Sequence, residues 1–344
     1  MNAPSKIAVG SARAVSRRLP APVDLLALYA QLGDHGRRRD TLMFETASGP
    51  SIIVDRAALR IECRGGEVRL VALTAGGETV LDLLAVRLAD HLTERSDKHL
   101  VAYYDRGQAV DATERLFGPS PFDVLRAIKL LFPSESEEEP FTLCLLGVLG
   151  FDHVDLFEEL PQALEDPVGF PDFVFWLAES MVVREPRLTP RLICTAFSSS
   201  SEDDKRRSHF SAVDRLSELA SRAFDVRPLE EAAAVASEVS VDLDDDEFIA
   251  TVAKVKEHIL AGDAYQVVVS RTFSAPCSDP IGAFARLRSI DLSPYMFFVS
   301  MEDHALFGCS PETSVRVSRD GQRRAVEVKP IAGTRPRGTS NDED

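Results

Sequence analysis

Four short runs of strand type follow one another near the start of this chain: Thr41 to Glu45, Ser51 to Val54, Leu59 to Cys63 and Val68 to Leu73. Turn signals separate them, among them Ser48-Gly49-Pro50 and Gly65-Gly66. Strands joined this closely read as an antiparallel meander. Helices flank it at Asp24 to Leu32, Val80 to Leu88 and Pro121 to Phe132, the last with Phe122, Leu125, Ile128 and Phe132 at helix spacing. Phe141 to Phe151, Phe173 to Val183 and Arg191 to Phe197 read as buried strands. A helix with Phe210, Val213, Leu216 and Leu219 on one face follows them.

From Arg227 to Asp246 the sequence turns Ala-, Glu-, Asp- and Ser-rich, which marks a linker. The chain has 344 residues, and at roughly 150 per domain two domains are expected. Residues 21–226 form the first and residues 247–344 the second, with residues 1–20 read as a disordered tail. In the second, Asp244 or Asp245 caps a helix that carries Phe248, Val252, Val255 and Ile259 and ends at Ala261-Gly262. Tyr265 to Phe273 then alternates as a strand. A short helix is followed by strands at Met296 to Met301, Ala305 to Cys309, Thr313 to Val317 and Val326 to Ile331. Glu302-Asp303-His304 and Asp320-Gly321 suit hairpins. The class is α+β, with antiparallel sheets and flanking helices.

Lys and Arg total 39 against 55 Asp and Glu, a formal charge of -16. Such a surface repels phosphate backbones, so no nucleic-acid partner is expected. The longest nearly apolar run, Leu143 to Phe151, is about half of the roughly 20 residues that a membrane span needs, so no membrane partner is expected either. Five widely spaced cysteines without a CxxC fit a reduced, cytoplasmic protein with no zinc site and no disulfide framework.

Four features could carry chemistry. Glu312 follows a proline at a strand end, where a carboxylate serves either as a general acid or base or as a turn residue. Ile331-Ala332-Gly333-Thr334, with Arg335, Arg337 and Gly338, offers N–H groups, a hydroxyl and guanidinium forks to a carboxylate, or is an ordinary basic loop. Gln266 faces either a pocket or solvent. Ser293-Pro294-Tyr295-Met296 lines a site for an apolar amine or simply packs.

Together these segments resemble the chorismate-utilising enzymes, and within them the large subunits (component I) of anthranilate synthase. Phe248 to Ser274, Ser293 to Phe298, Phe307 to Thr313 and Pro330-Ile331-Ala332-Gly333-Thr334-Arg335-Pro336-Arg337-Gly338 carry the likeness. Leu42-Met43-Phe44-Glu45-Thr46, Gly147 to Asp152 and Pro171-Asp172-Phe173 extend it upstream. The resemblance implies the fold of that subunit, with residues 247–344 as the first part of its chorismate-binding catalytic domain. It implies that chorismate and ammonia, the latter from a glutamine amidotransferase subunit (component II), give anthranilate and pyruvate, the first step of tryptophan biosynthesis. Glu312 would assist departure of the 4-hydroxyl, and Gly333 and Thr334 would bind a substrate carboxylate.

Two positions discriminate among relatives. Water-adding members carry a lysine base where Gln266 stands, and glutamine cannot take a proton from water. Lysine-type aminodeoxychorismate synthases carry lysine where Ala332 stands, and alanine is no covalent nucleophile. An amino-deoxyisochorismate synthase shares both residues and is the enzymatic alternative.

L-Tryptophan feedback is implied through Glu45 and Thr46 with Pro294, Tyr295 and Met296. The pocket is altered where Gly49-Pro50 replaces a usual lysine and Asp291-Leu292 a usual Asn-Pro. The family's Mg²⁺-binding glutamates lie beyond Asp344, so the chain looks truncated. The expectation is that it alone neither holds catalytic Mg²⁺ nor turns over chorismate, which leaves a non-catalytic tryptophan-binding module as the other alternative.

Overall fold

In the computed structural model, the described residues are 9–105, 117–132, 139–158, 160, 166, 168–229, 238–291, 293–320, 323–330 and 338–340. The chain divides into two compact units. The first comprises Met1–Leu229 with Phe297–Phe307, and the second Glu230–Met296 with Gly308–Asp344. The expected second domain is therefore not continuous, because a hairpin-forming stretch inside it belongs to the first unit.

The first unit is built on a large antiparallel sheet. Its strands include β1 (Ser11–Arg18), β2 (Thr41–Thr46), β3 (Ser51–Arg64), β4 (Glu67–Ala72), β5 (Leu92–Arg95), β6 (His99–Tyr103), β7 (Leu145–Leu149), β8 (Phe173–Arg184) and β9 (Arg191–Ser198). The central path runs β1-β9-β8-β3-β2 and continues into Tyr295–Ser300 and Ala305–Ser310.

β3 and β8 are long enough to serve two sets of neighbours. Leu42 to Phe44 pair with the first part of β3, and Glu67 to Ala72 with its second part. The two expected strands here are one, because a bulge at Asp55 to Ala58 bends the chain without ending its pairing to β8.

Alternation along these strands feeds two cores. Leu59, Ile61, Cys63, Phe173 and Leu177 face α2 (Ala75–Arg87) and α3 (Asp123–Leu131), which contribute Val80, Leu84, Val124 and Ile128. Ile52, Val54, Val174, Trp176 and Ala178 turn the other way, with Leu42, Val299 and Met301. Two helices of this unit begin where the sequence supplies a capping side chain. Asp24 accepts from Ala27 N at 2.9 Å to start α1 (Leu25–Leu32), and Thr74 Oγ1 accepts from Gly77 N at 3.1 Å to start α2.

Two expectations fail in this unit. Residues 11–18, read as part of a disordered tail, are the edge strand β1, paired from Ser11↔Ser198 to Arg18↔Arg191. The segment is too polar to signal a strand alone, but β9 supplies a ready template. Helix α4 (Glu202–Arg222) buries Ala212 and Leu219, whereas Phe210 is 63% exposed. The buried stripe of α4 turns on small residues and on Arg215, which hydrophobic spacing alone misses.

In the second unit, α5 (Asp245–Ala261) has the expected capping box, Asp244 with Glu247, and ends at Gly262 with φ 85°. The linker contributes β10 (Ser240–Val241), which pairs with β11 (Phe273–Ser274). The expected strand Tyr265 to Phe273 is reduced to that last pair. An alternating run becomes a strand only where a neighbour takes its hydrogen bonds, and residues 265–272 have no strand partner among the described residues. After α6 (Pro280–Ile290) come β12 (Tyr295–Ser300) and β13 (Ala305–Ser310), as expected, with Phe297–Phe307 of this hairpin belonging to the first unit. β14 (Arg316–Asp320) and β15 (Arg323–Glu327) then form an antiparallel hairpin, each starting three residues away from its expected position.

Candidate functional site

β2 ends in the residues that sequence reasoning assigns to an amino-acid ligand. Leu42 and Met43 are fully buried, and they fix β2 so that Glu45 lies at its end, 13% exposed. Glu45 Oε1 accepts from Arg184 Nη2 at 3.0 Å, a charge-assisted bond between the ends of β2 and β8. Thr46 Oγ1 accepts from Gly49 N at 3.0 Å and donates to Pro50 O at 3.3 Å, so its hydroxyl braces the turn into β3. Arg184 Nη2 also lies 3.4 Å from Ser51 Oγ, which brings a cation to the start of β3, where Gly49-Pro50 supplies none.

Pro294, Tyr295 and Met296 belong to the second unit. Asp291 Oδ1 accepts from Ser293 N at 2.6 Å and shapes the approach to β12. The Ser293 hydroxyl, with that backbone bond, holds the Asp291 carboxyl below its ordinary value, and the bond to Asp291 raises the Cys309 thiol. The Tyr295 hydroxyl bonds Thr313 Oγ1, which lowers the phenol's pKa, with Arg316 adding to the effect. Met296 is buried.

Glu312 follows β13 in the same unit. Ser310 Oγ accepts from Glu312 N at 3.3 Å and donates to Glu312 O at 3.2 Å, so a hydroxyl-braced turn around Pro311 presents the carboxylate. Gln266 sits in exposed chain without regular secondary structure. Ala332, Gly333 and Thr334 lie outside the described residues. Among the described residues, no group of three or more His, Cys, Asp or Glu could hold a metal ion. No described helix is long and apolar enough to cross a membrane.

The first unit contains a feature that sequence reasoning missed, a cavity of about 790 Å³ lined by β3, β8, β9, α2, α4 and the loop before β2. Asp55, 3% exposed, accepts from Arg38 at 2.7 Å and from Ser180 Oγ at 3.1 Å, and pairs with Arg222 at 3.1 Å. Glu179 Oε1 accepts from Thr74 Oγ1 at 3.1 Å and lies 3.6 Å from Arg215, while Oε2 is buried without a hydrogen bond. Burial raises the Glu179 carboxyl above its ordinary value, opposed by Arg215 and Thr74. A signal existed in both cases: Asp55 and Glu179 each interrupt an apolar strand run. Buried acids inside strands need partners.

A large antiparallel sheet with one core under helices and another built from strand residues, together with a second α+β unit, defines a fold that known proteins share. The family described as chorismate binding enzyme matches residues 84–344, and the chain belongs to that family. It is 33% identical to anthranilate synthase component 1 of Vibrio cholerae over 335 residues, which are 94% of this chain and 62% of the relative. It is 35% identical to that of Escherichia coli over 329 residues, 92% of this chain and 61% of the relative. The chain thus spans less than two thirds of the length of these relatives. Among solved structures, anthranilate synthase component I from Streptococcus pneumoniae superposes with a TM-score of 0.53 at 23% identity. The match covers 80% of this chain and 53% of that one, and it speaks for the fold.

Proposed function

We propose that this chain belongs to an anthranilate synthase large subunit, a cytoplasmic lyase that uses chorismate. The observation that carries the reading is identity of 33% and 35% to anthranilate synthase components along 94% and 92% of this chain. Residue types support it. Gln266 and Ala332 offer neither a base for water nor a covalent nucleophile. In this reading ammonia, delivered by a glutamine amidotransferase subunit, adds at carbon 2 as the 4-hydroxyl leaves with a proton supplied near Glu312. Loss of pyruvate then gives the aromatic product. The braced turn at Ser310 to Glu312 supports a fixed carboxylate at that point. Gly333 and Thr334 would hold a carboxylate of chorismate.

The regulatory half of the reading is that L-tryptophan binds at Glu45 and Thr46 with Pro294, Tyr295 and Met296. Arg184 beside Glu45 stands in for the lysine that Gly49-Pro50 replaces.

The test is the protein encoded when the reading frame is followed past the Asp344 codon, assayed with chorismate, Mg²⁺ and ammonium. Anthranilate and pyruvate are expected. A product that keeps the pyruvyl group would assign an amino-deoxyisochorismate synthase instead. The 344-residue chain itself is expected to give no anthranilate. Titration of this chain with L-tryptophan is expected to show binding that Thr46→Phe abolishes.

A further inference from the structure

The geometry points to a second ligand site, in the cavity of the first unit, that takes a small organic anion of metabolite size bearing carboxylate or phosphate. It is independent of the proposed activity, because none of Glu45, Thr46, Gln266 or Glu312 lines the cavity.

The cavity is about 790 Å³, within the roughly 300–1,000 Å³ of small-molecule sites. Five arginines reach its wall in a chain whose net charge is -16: Arg38, Arg39, Arg56, Arg207 and Arg215. Clustering cations in a cleft concentrates a positive field where the rest of the surface is negative.

The wall has donors to spare. Asp55 is used up by Arg38, Arg222 and Ser180. Asp40 is used up by Trp176 Nε1 at 2.7 Å and Arg60 at 3.3 Å, and Asp204, also in the wall, accepts from Ser199 N at 2.7 Å and lies 3.5 Å from the exposed Arg207. Arg39 has no acidic partner among the described residues, Arg56 has only the exposed Glu218 at 3.9 Å, and the buried Nε of Arg215 has no acceptor.

The start of α2 opens on the same cavity through Ala75 and Gly76. After the Thr74 cap takes Gly77 N, the preceding N–H groups have no partner among the described residues. Glu179, 1% exposed, is the acid set beside them, and its Oε2 is unpartnered. Burial favours its neutral form, in which it carries no charge against an incoming anion. Unused acceptors are scarce in this wall and unused donors are not, so the missing partner is an acceptor.

The experiment uses the 344-residue chain and isothermal titration at low ionic strength. Inorganic phosphate and pyrophosphate form one arm, succinate and citrate the other. Arg39→Glu and Arg207→Glu reverse charge on two separate elements. Arg37→Glu makes the same charge change at an exposed neighbour outside the cavity. Saturable binding in either arm is expected, reduced about tenfold or more by each cavity variant and kept by Arg37→Glu. The arm that binds identifies phosphate or carboxylate as the group recognised. Absence of saturable binding in both arms overturns the inference. So does equal loss in Arg37→Glu, which would mean a diffuse surface field.

Discussion

Asp40 Oδ1 accepts the indole N–H of Trp176 at 2.7 Å and also lies 3.3 Å from Arg60 Nη1. Trp176 is fully buried, and it is the only tryptophan in the chain. Asp40 holds this acceptor in place from a left-handed backbone position, φ 57°, a conformation that Asp and Asn tolerate better than other side chains.

Asp40→Ala would leave the buried indole N–H unpaired and place an ill-suited residue at a positive φ. A loss of about 1–3 kcal/mol follows from the unpaired donor. Asp40→Asn keeps both an acceptor and the backbone tolerance, so it should cost clearly less. Urea denaturation followed by Trp176 emission measures both, and equal losses for the two variants would contradict the assignment.

Glu179 ties stability to pH. Its folded-state pKa lies above its unfolded value because burial penalises the charge. Its favourable contribution is complete below the unfolded pKa and is lost as pH rises through the folded pKa. Glu179→Gln keeps an acceptor for the Thr74 hydroxyl and removes the titration. Arg215 stays held by Ser211 Oγ at 3.0 Å and Thr195 O at 2.9 Å. The variant should therefore show a flatter profile of thermal midpoint as pH rises above the ordinary Glu value of about 4.3, and should exceed the parent at the upper end. A steeper decline in the variant would show that ionised Glu179 stabilises the fold.

Gly77 is required by a close approach. A Cβ there would lie 2.0 Å from Ala58 O and 3.3 Å from Ala72 Cα, both backbone atoms that cannot step aside. Gly77→Ala should push α2 off the sheet and cost more than the gain of about 1 kcal/mol that alanine brings to a helix interior. Circular dichroism during chemical denaturation checks the sign, and a more stable variant would refute the contact.

Much of the sheet was legible because its strands carry their own apolar alternation and their own turns. β2, β4, β8 and β9 begin and end within two residues of expectation. What escaped depended on partners distant in sequence. Ser11 to Arg18 is a strand because Arg191 to Ser198 receives it, and Tyr265 to Thr272 is not one because no strand among the described residues pairs with it. The site divides the same way. Glu45, Thr46, Tyr295 and Glu312 stand in motifs that can be read locally, and the structure adds the partners Arg184, Gly49, Thr313 and Ser310. The cavity around Glu179 and Asp55 was invisible as a site because α2, α4 and three strands each contribute only a residue or a few to it.

The edge strand gives the last prediction. Ser11 and Ala12 are each only 6% exposed, and β1 pairs with β9 along its whole length. Leu19 N then donates to Pro190 O at 2.8 Å, and Arg18 Nη1 donates to Thr189 O at 3.0 Å. Removing residues 1–20 would uncover the β9 edge and open the core beneath Ala12. An exposed, apolar, unpaired strand invites association with other chains. The shortened protein should unfold at lower denaturant and sediment as larger species, whereas removing only residues 1–8 should leave both properties near those of the parent. A 1–20 deletion that stays monomeric and equally stable would return this segment to the status of a dispensable tail.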